Sequence, residues 1–239
     1  MSEVRAIVTD IEGTTTPIAF VHQVLFPYAR ERLAAFVAAH GGEAEVVRTL
    51  AEARVLGGIP EASTDETVAL LLSWIDEDRK AGPLKFLQGL IWRQGYEAGV
   101  LKGPVYADAA AMLRRWHERG LRLFVYSSGS EEAQKLIFGY SDQGDLTPLF
   151  EGFFDTRIGG KLEASSYEAI ARAAQMPADA MLFLSDHAGE IAAARAAGMQ
   201  AVLIDRATPP ELWHDEAGAL VAGSFEAAER ACMATAPRR

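Results

Sequence analysis

Five side chains in this 239-residue chain are of the right type, and fall at the right kind of place, to act together: Asp10, Glu12, Ser127, Lys161 and Asp186. An apolar run over residues 4–9 ends on Asp10, and Glu12 follows two positions later, returning to the same side. Two carboxylates that close do not both ionise cheaply out of water, so the pair calls for a cation or for a retained proton. Taken alone, the same two acids equally suit the capping of a turn at a strand end. Asp186 closes a second apolar run and offers, with Asp10, hard oxygen ligands for one Mg²⁺. That ion keeps several waters and binds through one or two carboxylates plus a substrate phosphate. Ser127 and Ser128, with the N–H groups of a helix opening after Ser130, offer donors to a phosphate. A carboxylate attacks a phosphate dianion only if their repulsion is offset, which Mg²⁺ and a lysine can do together. Lys161 follows two glycines, and on composition alone Lys85 and Lys102 compete with it. His187 is not expected to bind the metal, because it sits on an opening helix pointing elsewhere and Mg²⁺ prefers oxygen.

These groups meet only if the runs that carry them are strands of one sheet. Residues 121–126 form a continuous apolar run ending at Ser127, which predicts a strand buried on both faces. Residues 181–184 and 201–204 repeat the pattern, and Phe153-Phe154 marks a short strand before the turn at 159–161. Helical patterns alternate with them: from Asp108 as a cap to Gly120, after Ser130, after a Ser165/Glu168 capping box, and over 191–197. Strands alternating with helices predict an α/β fold built on a doubly wound parallel sheet. In such a sheet ligands bind beyond the carboxyl ends of the strands, the end at which Asp10, Ser127 and Asp186 fall.

Between the first strand and Gly103 the texture is different. Pro27 as a helix opener, a Ser63/Glu66 capping box, a stop at Gly82-Pro83 and apolar faces near 33–37, 68–75 and 87–91 predict helices alone. Residues 18–100 therefore read as an all-helical insertion between core segments 1–17 and 101–239. Phe20, His22 and Trp92 within it are expected to serve packing. The tail after Cys232 is expected to fray.

Composition narrows the function further. Apolar residues make up 49% of the chain and charged ones 23%, which suits a globular enzyme and not a disordered chain. A net charge of −10 with no basic run disfavours nucleic acid as a partner. Cys232 stands alone, so no internal disulfide is expected, in keeping with a reducing compartment. No basic stretch followed by a long apolar core precedes the first strand, and no window offers the ~20 apolar residues of a membrane span. A cytoplasmic monomer acting on a small phosphorylated molecule is the expectation.

The motifs carry a resemblance that covers nearly the whole chain. Asp10-x-Glu12-Gly13-Thr14, a strand ending in Ser127, a downstream Lys161, and a strand ending in Asp186 with Glu190 four residues on resemble the haloacid dehalogenase superfamily of phosphotransferases. Glu12 departs from the Asp usual there, and the departure narrows the match. The strings over residues 10–17, 24–30, 87–92 and 125–130 resemble the enolase-phosphatase family of methionine salvage, whose members are also called acireductone synthases. The resemblance implies that Asp10 is a nucleophile forming an aspartyl-phosphate and Glu12 the general acid and base. It implies that Asp10, Asp186 and the Glu12 carbonyl hold Mg²⁺, with Glu190 behind them. Ser127, Ser128 and Lys161 then bind phosphate and substrate, and it is the family pattern that selects Lys161. The helical insertion becomes a cap. Two other readings stand beside this one. One is a phosphatase for another small phosphorylated metabolite, or a metal-free dehalogenase, on the same fold. The other is a non-catalytic interaction protein, against which the intact Asp10, Lys161 and Asp186 weigh.

Overall fold

Alternation along the first strand puts Ala6 and Val8 on one face and Ile7 and Thr9 on the other, and all four are buried. A strand with two dry faces needs neighbours on both edges and helices above and below. That is what the computed structural model shows; it describes residues 2–207, 212–214 and 220–233. The chain divides into two compact units, residues 1–18 with 103–239, and residues 19–102.

The first unit is built on a seven-stranded sheet. Its strands are β1 (Ala6–Thr9), β2 (Arg122–Tyr126), β3 (Gly152–Phe154), β4 (Met181–Ser185), β5 (Gln200–Ile204), β6 (Leu212–His214) and β7 (Leu220–Ala222), in the order β3-β2-β1-β4-β5-β7-β6. Every pairing is parallel except β6 with β7. β1 is central, with Ala6 opposite both Arg122 of β2 and Met181 of β4, so the three strands end level with one another. Helices α6 (Ala107–Glu118), α7 (Glu131–Gly139), α8 (Ala164–Ala173), α9 (Ala188–Ala196) and α10 (Phe225–Met233) complete the unit. On one face Tyr167, Ile170 and Ile191 pack on Val8, Phe124 and Phe183. Toward α6 and α10, Trp116 stacks on Phe225 at 5.6 Å.

The second unit is helical. The short α1 (Ile18–Phe20) leads into a π-helical turn over Val21–Leu25, followed by α2 (Phe26–His40), α3 (Ala44–Leu56), α4 (Thr64–Asp76) and α5 (Gly82–Glu97). The Ser63/Glu66 capping box is formed, both reciprocal bonds being present at the start of α4. Trp92 packs as expected: it is buried, stacks on Phe26 at 6.4 Å, and its Nε1 donates to the Leu25 carbonyl at 2.8 Å.

Several local readings of the sequence give way to tertiary context. Gly82-Pro83 opens α5 instead of closing α4, since proline is tolerated in a first helical turn. No Ser165/Glu168 capping box forms, because α8 already starts at Ala164. Asp108 does not cap α6; it lies inside the first turn, and its carboxylate accepts from Arg206 and from the Phe225 N–H. Strands β6 and β7 lie beyond the last strand that the apolar pattern predicts. Of the tail expected to fray after Cys232, Met233 still belongs to α10 and residues 234–239 lie outside the described residues. Cys232 is half-buried and burial pushes its thiol up to about 11, which leaves it protonated at neutral pH.

Candidate active site

The level carboxyl ends of β1, β2 and β4 bring distant residues to one place. Asp10 follows β1 directly, and its N–H continues the ladder by donating to the Leu184 carbonyl at 2.9 Å. Its side chain is buried and meets Lys161 Nζ at 2.7 Å through Oδ1. The same ammonium lies 2.7 Å from Glu190 Oε2, which also accepts from the Ser185 hydroxyl at 2.8 Å. One cation is thus shared by two buried carboxylates. Burial pushes the Asp10 carboxyl up to about 7; Lys161 opposes that shift and Glu190 adds to it. Burial alone pulls the Lys161 ammonium down, but Asp10 and Glu190 outweigh it and hold its pKa above the ordinary lysine value.

Lys161 owes its position to a short loop fastened at three points. Tyr126 Oη, at the end of β2, donates to the Gly159 carbonyl at 2.9 Å. Ser166 Oγ donates to the Gly160 carbonyl at 2.8 Å, and Tyr167 Oη to that of Lys161 itself at 2.7 Å. Gly159, at φ +142°, leaves no room for a side chain, since an added Cβ lies 2.2 Å from Ser166 Oγ.

The turn after Asp10 is wound around one carbonyl. Ile11 O accepts the N–H groups of Thr14, Thr15 and Thr16 at 2.9–3.1 Å, while Gly13 N–H donates to Thr16 O at 2.8 Å. Gly13 adopts φ +72°, and a Cβ there falls 1.8 Å from Asp186 Oδ2. The Asp186 carboxyl is thereby laid against the backbone of the Asp10 loop. Its pKa is raised, first by desolvation at that crowded contact and then by Glu190, although the residue as a whole is exposed. Glu12 is half-buried, and among the described residues no hydrogen bond or ion pair reaches its carboxylate.

Ser127 is buried at the end of β2. Its Oγ accepts the Gly129 N–H at 3.2 Å, so its own proton is left to donate elsewhere. Ser128 follows it, half-buried. The opening N–H groups of α7 are less available than the sequence suggests. Glu131 N–H goes to Asp155 Oδ2 at 3.4 Å and Ala133 N–H to Ser130 Oγ at 3.3 Å. Gln134 Nε2 ties this loop to β3, donating to the carbonyls of Gly129 and Phe154, each at 2.8 Å. His187 caps α9, with Nδ1 accepting the Gly189 N–H at 3.2 Å.

Whether these residues suit a divalent cation can be judged from charge. Burial raises the carboxyls of Asp10 and Asp186 and the charge of Glu190 adds to both, while Lys161, paired with Asp10 and Glu190, leaves an excess of negative charge. A cation between Asp10 and Asp186 relieves it. Among the described residues no three acidic or imidazole side chains form a metal cage by themselves. A hydrated Mg²⁺ held by two carboxylates and a backbone carbonyl needs none. Glu190 was legible only as an acid four residues after Asp186. Tyr126 and Tyr167, which set the Lys161 loop, left no signal beyond a polar tip on an apolar pattern.

A parallel sheet carrying an acid at the end of its central strand, with a lysine and a second acid facing it, defines a haloacid dehalogenase-like hydrolase. The model of that family matches residues 4–198. Its hydrolases are in general metal-dependent. The chain is 68% identical over 231 residues to enolase-phosphatase E1 of Parvibaculum lavamentivorans, with 97% of each covered. It is 58% identical over 196 residues to enolase-phosphatase E1 of Azotobacter vinelandii, covering 82% of this chain and 86% of that one. Among solved structures, the UTR4 protein of Saccharomyces cerevisiae superposes with a TM-score of 0.79 at 35% identity, over 94% of this chain and 99% of that one. The chain belongs to the enolase-phosphatase family. No helix among the described residues is long and apolar enough to cross a membrane.

Proposed function

We propose that this chain is a Mg²⁺-dependent enolase-phosphatase acting in methionine salvage. It converts 2,3-diketo-5-methylthiopentyl 1-phosphate, by enolisation and then dephosphorylation, to the acireductone 1,2-dihydroxy-3-keto-5-methylthiopentene. The observation that carries the reading is the Lys161 ammonium set 2.7 Å from Asp10 Oδ1 with Asp186 drawn against the same loop. Family membership supplies the substrate.

Asp10 is the nucleophile. Lys161 holds one of its oxygens and leaves the other to attack phosphorus, forming an aspartyl-phosphate as the bond to the leaving oxygen breaks. Glu12, whose carboxylate no hydrogen bond or ion pair among the described residues engages, protonates that leaving oxygen and then takes a proton from the water that opens the aspartyl-phosphate. The same carboxylate, with one methylene more reach than Asp, takes the C1 proton in the enolisation step. Ser127 and Ser128 donate to the phosphate, and Lys161 offsets its charge. Asp10, Asp186 and the Glu12 carbonyl would hold Mg²⁺, which would supply Lewis acidity there. Glu190 keeps Lys161 charged and aimed. Residues 19–102 are the cap that recognises the organic end of the substrate.

The test follows enol absorbance and free phosphate in one reaction with the diketo phosphate, with and without Mg²⁺. An enol signal preceding Mg²⁺-dependent phosphate release is expected. Phosphate release with no enol step leaves a phosphatase for some other small phosphorylated metabolite. In Glu12→Asp, enolisation at the wild-type rate with slowed dephosphorylation assigns the C1 proton to another group.

A further inference from the structure

Glu12 has to be aimed by its backbone, because among the described residues no side chain holds its carboxylate. The turn that carries it is closed on the inside by the Ile11 carbonyl. What fixes that turn from the outside is Arg206, from the segment after β5. Its Nε and Nη2 donate to the Thr14 carbonyl at 3.0 and 2.6 Å, and its Nη1 pairs with Asp108 Oδ2 at 2.7 Å. Asp108 Oδ2 in turn accepts the Phe225 N–H at 2.9 Å, which ties the pair to the start of α10. The guanidinium lies 4.3 Å from the ring centroid of Tyr106 and 5.1 Å from that of Phe225. The next carbonyl of the turn, Thr15 O, accepts the Tyr106 N–H at 2.9 Å. Both Arg206 and Asp108 are largely buried, their side chains 15% and 22% exposed. A planar fork with all three nitrogens engaged and aromatic rings against it has little freedom to move.

We infer that Arg206 is a positioning residue for Glu12: by clamping the Thr14 carbonyl it holds the 11–16 turn so that the Glu12 carboxyl reaches the leaving oxygen. The inference rests on the general-acid role of Glu12 given above. Arg206 touches no reacting atom. Its loss therefore weakens proton delivery to the leaving group and leaves phosphate capture by Ser127, Ser128 and Lys161 in place.

That separation makes the role measurable. The diketo phosphate needs Glu12 first to take the C1 proton and then to protonate the departing enol oxygen, and a simple alkyl phosphate needs a proton on its alkoxide, whereas a nitrophenyl phosphate has no such proton to lose, leaves as a stable phenolate and needs little help. The experiment compares kcat and KM of wild type, Arg206→Met and Arg206→Lys on the diketo phosphate and on p-nitrophenyl phosphate, with Tm recorded for each. In Arg206→Met, kcat on the diketo phosphate is expected to fall about 30-fold, part of the ~10²–10⁴-fold that general acid catalysis supplies. On the aryl ester the fall stays within about threefold, and KM holds for both. Lys, which replaces the fork with one donor, recovers only part of the loss. In a Glu12→Gln background the Arg206→Met change adds less than about twofold, since the residue it aims is already gone. Equal losses on both esters, or an undiminished Arg206 effect without Glu12, show a merely structural role and overturn the inference. Should wild type turn over the aryl ester but not the diketo phosphate, the proposed substrate fails; the leaving-group contrast is then read between the aryl ester and a simple alkyl phosphate, with the same outcomes. A wild type inactive on all three esters overturns the proposed function and this inference with it.

Discussion

Gly13→Ala tests the contact that lays Asp186 against the Asp10 loop. A methyl group there arrives 1.8 Å from Asp186 Oδ2, and contacts to a Cβ do not go below 3.0 Å. The carboxylate must therefore retreat by about 1.2 Å, the difference between those distances. The backbone adds its own cost, because φ is +72° and the left-handed region costs an L-residue about 1–2 kcal/mol. In a chain of this size that lowers Tm by about 2–8 °C. The chemical effect is larger: a misplacement of roughly 1 Å in a catalytic constellation costs about 10²-fold in rate. Phosphate release from the diketo phosphate at saturating Mg²⁺ reads the second effect, and calorimetry with and without Mg²⁺ reads the first. The rise in Tm that Mg²⁺ gives the wild type shrinks in the variant, since a ligand stabilises only as far as it still binds the folded state. Gly58→Ala is the matched control. It has the same φ of +72° with nothing within 4 Å of the added methyl, so it carries the strain without the clash. It should lose comparable Tm and keep full activity. A Gly13→Ala enzyme within threefold of wild type, with an undiminished Mg²⁺ response, refutes the argument that Asp186 is held in place by that turn.

Lys161→Met removes the cation shared by Asp10 and Glu190; phosphate release should drop by more than about 10³-fold, and leaving two buried acids unpaired should cost about 3 kcal/mol on denaturant titration. The pH dependence follows from Asp10. Its carboxyl sits near 7 in the folded protein against an ordinary 3.8, so between those values the folded state keeps a proton that the unfolded chain has released. Stability of the metal-free protein therefore falls as pH rises from about 4 to about 7. The wild type should lose Tm across that window relative to Asp10→Asn, and parallel Tm curves for the two proteins count against it. Tyr167→Phe deletes the bond to the Lys161 carbonyl; about 1 kcal/mol of stability is expected to go, together with several-fold in kcat at unchanged aryl-ester leaving-group dependence, because Lys161 and not Glu12 is displaced.

How much of this was legible beforehand depended on whether the signal was local. The β1, β2 and β4 runs announce themselves as strands by continuous burial, and a parallel sheet then dictates that Asp10, Ser127 and Asp186 share one end. The Ser63/Glu66 capping box needs only four consecutive residues, and it formed. Ser165/Glu168 has the same spacing but failed. Glu163 is already the residue before the helix, and α8 starts at Ala164. Asp108 looked like a cap and instead serves Arg206, almost a hundred residues away, a partner that no window of sequence contains.

From the residues alone came the fold class, the all-helical stretch, the acids and serines at strand ends and, with the family pattern, Lys161 as the cation. Those properties rest on periodicity, on the chemistry of single side chains and on motif strings, all of which are written along the chain. Tertiary structure decided the rest: that Glu190 shares Lys161 with Asp10, that two tyrosines and a serine hold the lysine's loop, that the α7 N–H groups are already engaged, and that Arg206 clamps the turn bearing Glu12. The pairings of Lys161 with Asp10, of Tyr126 with Gly159, of Glu131 with Asp155 and of Arg206 with Thr14 join groups distant in sequence, whose energy exists only once the sheet has brought their strands level, and the shorter-range bonds to the Lys161 loop depend on the helix that the same packing sets in place.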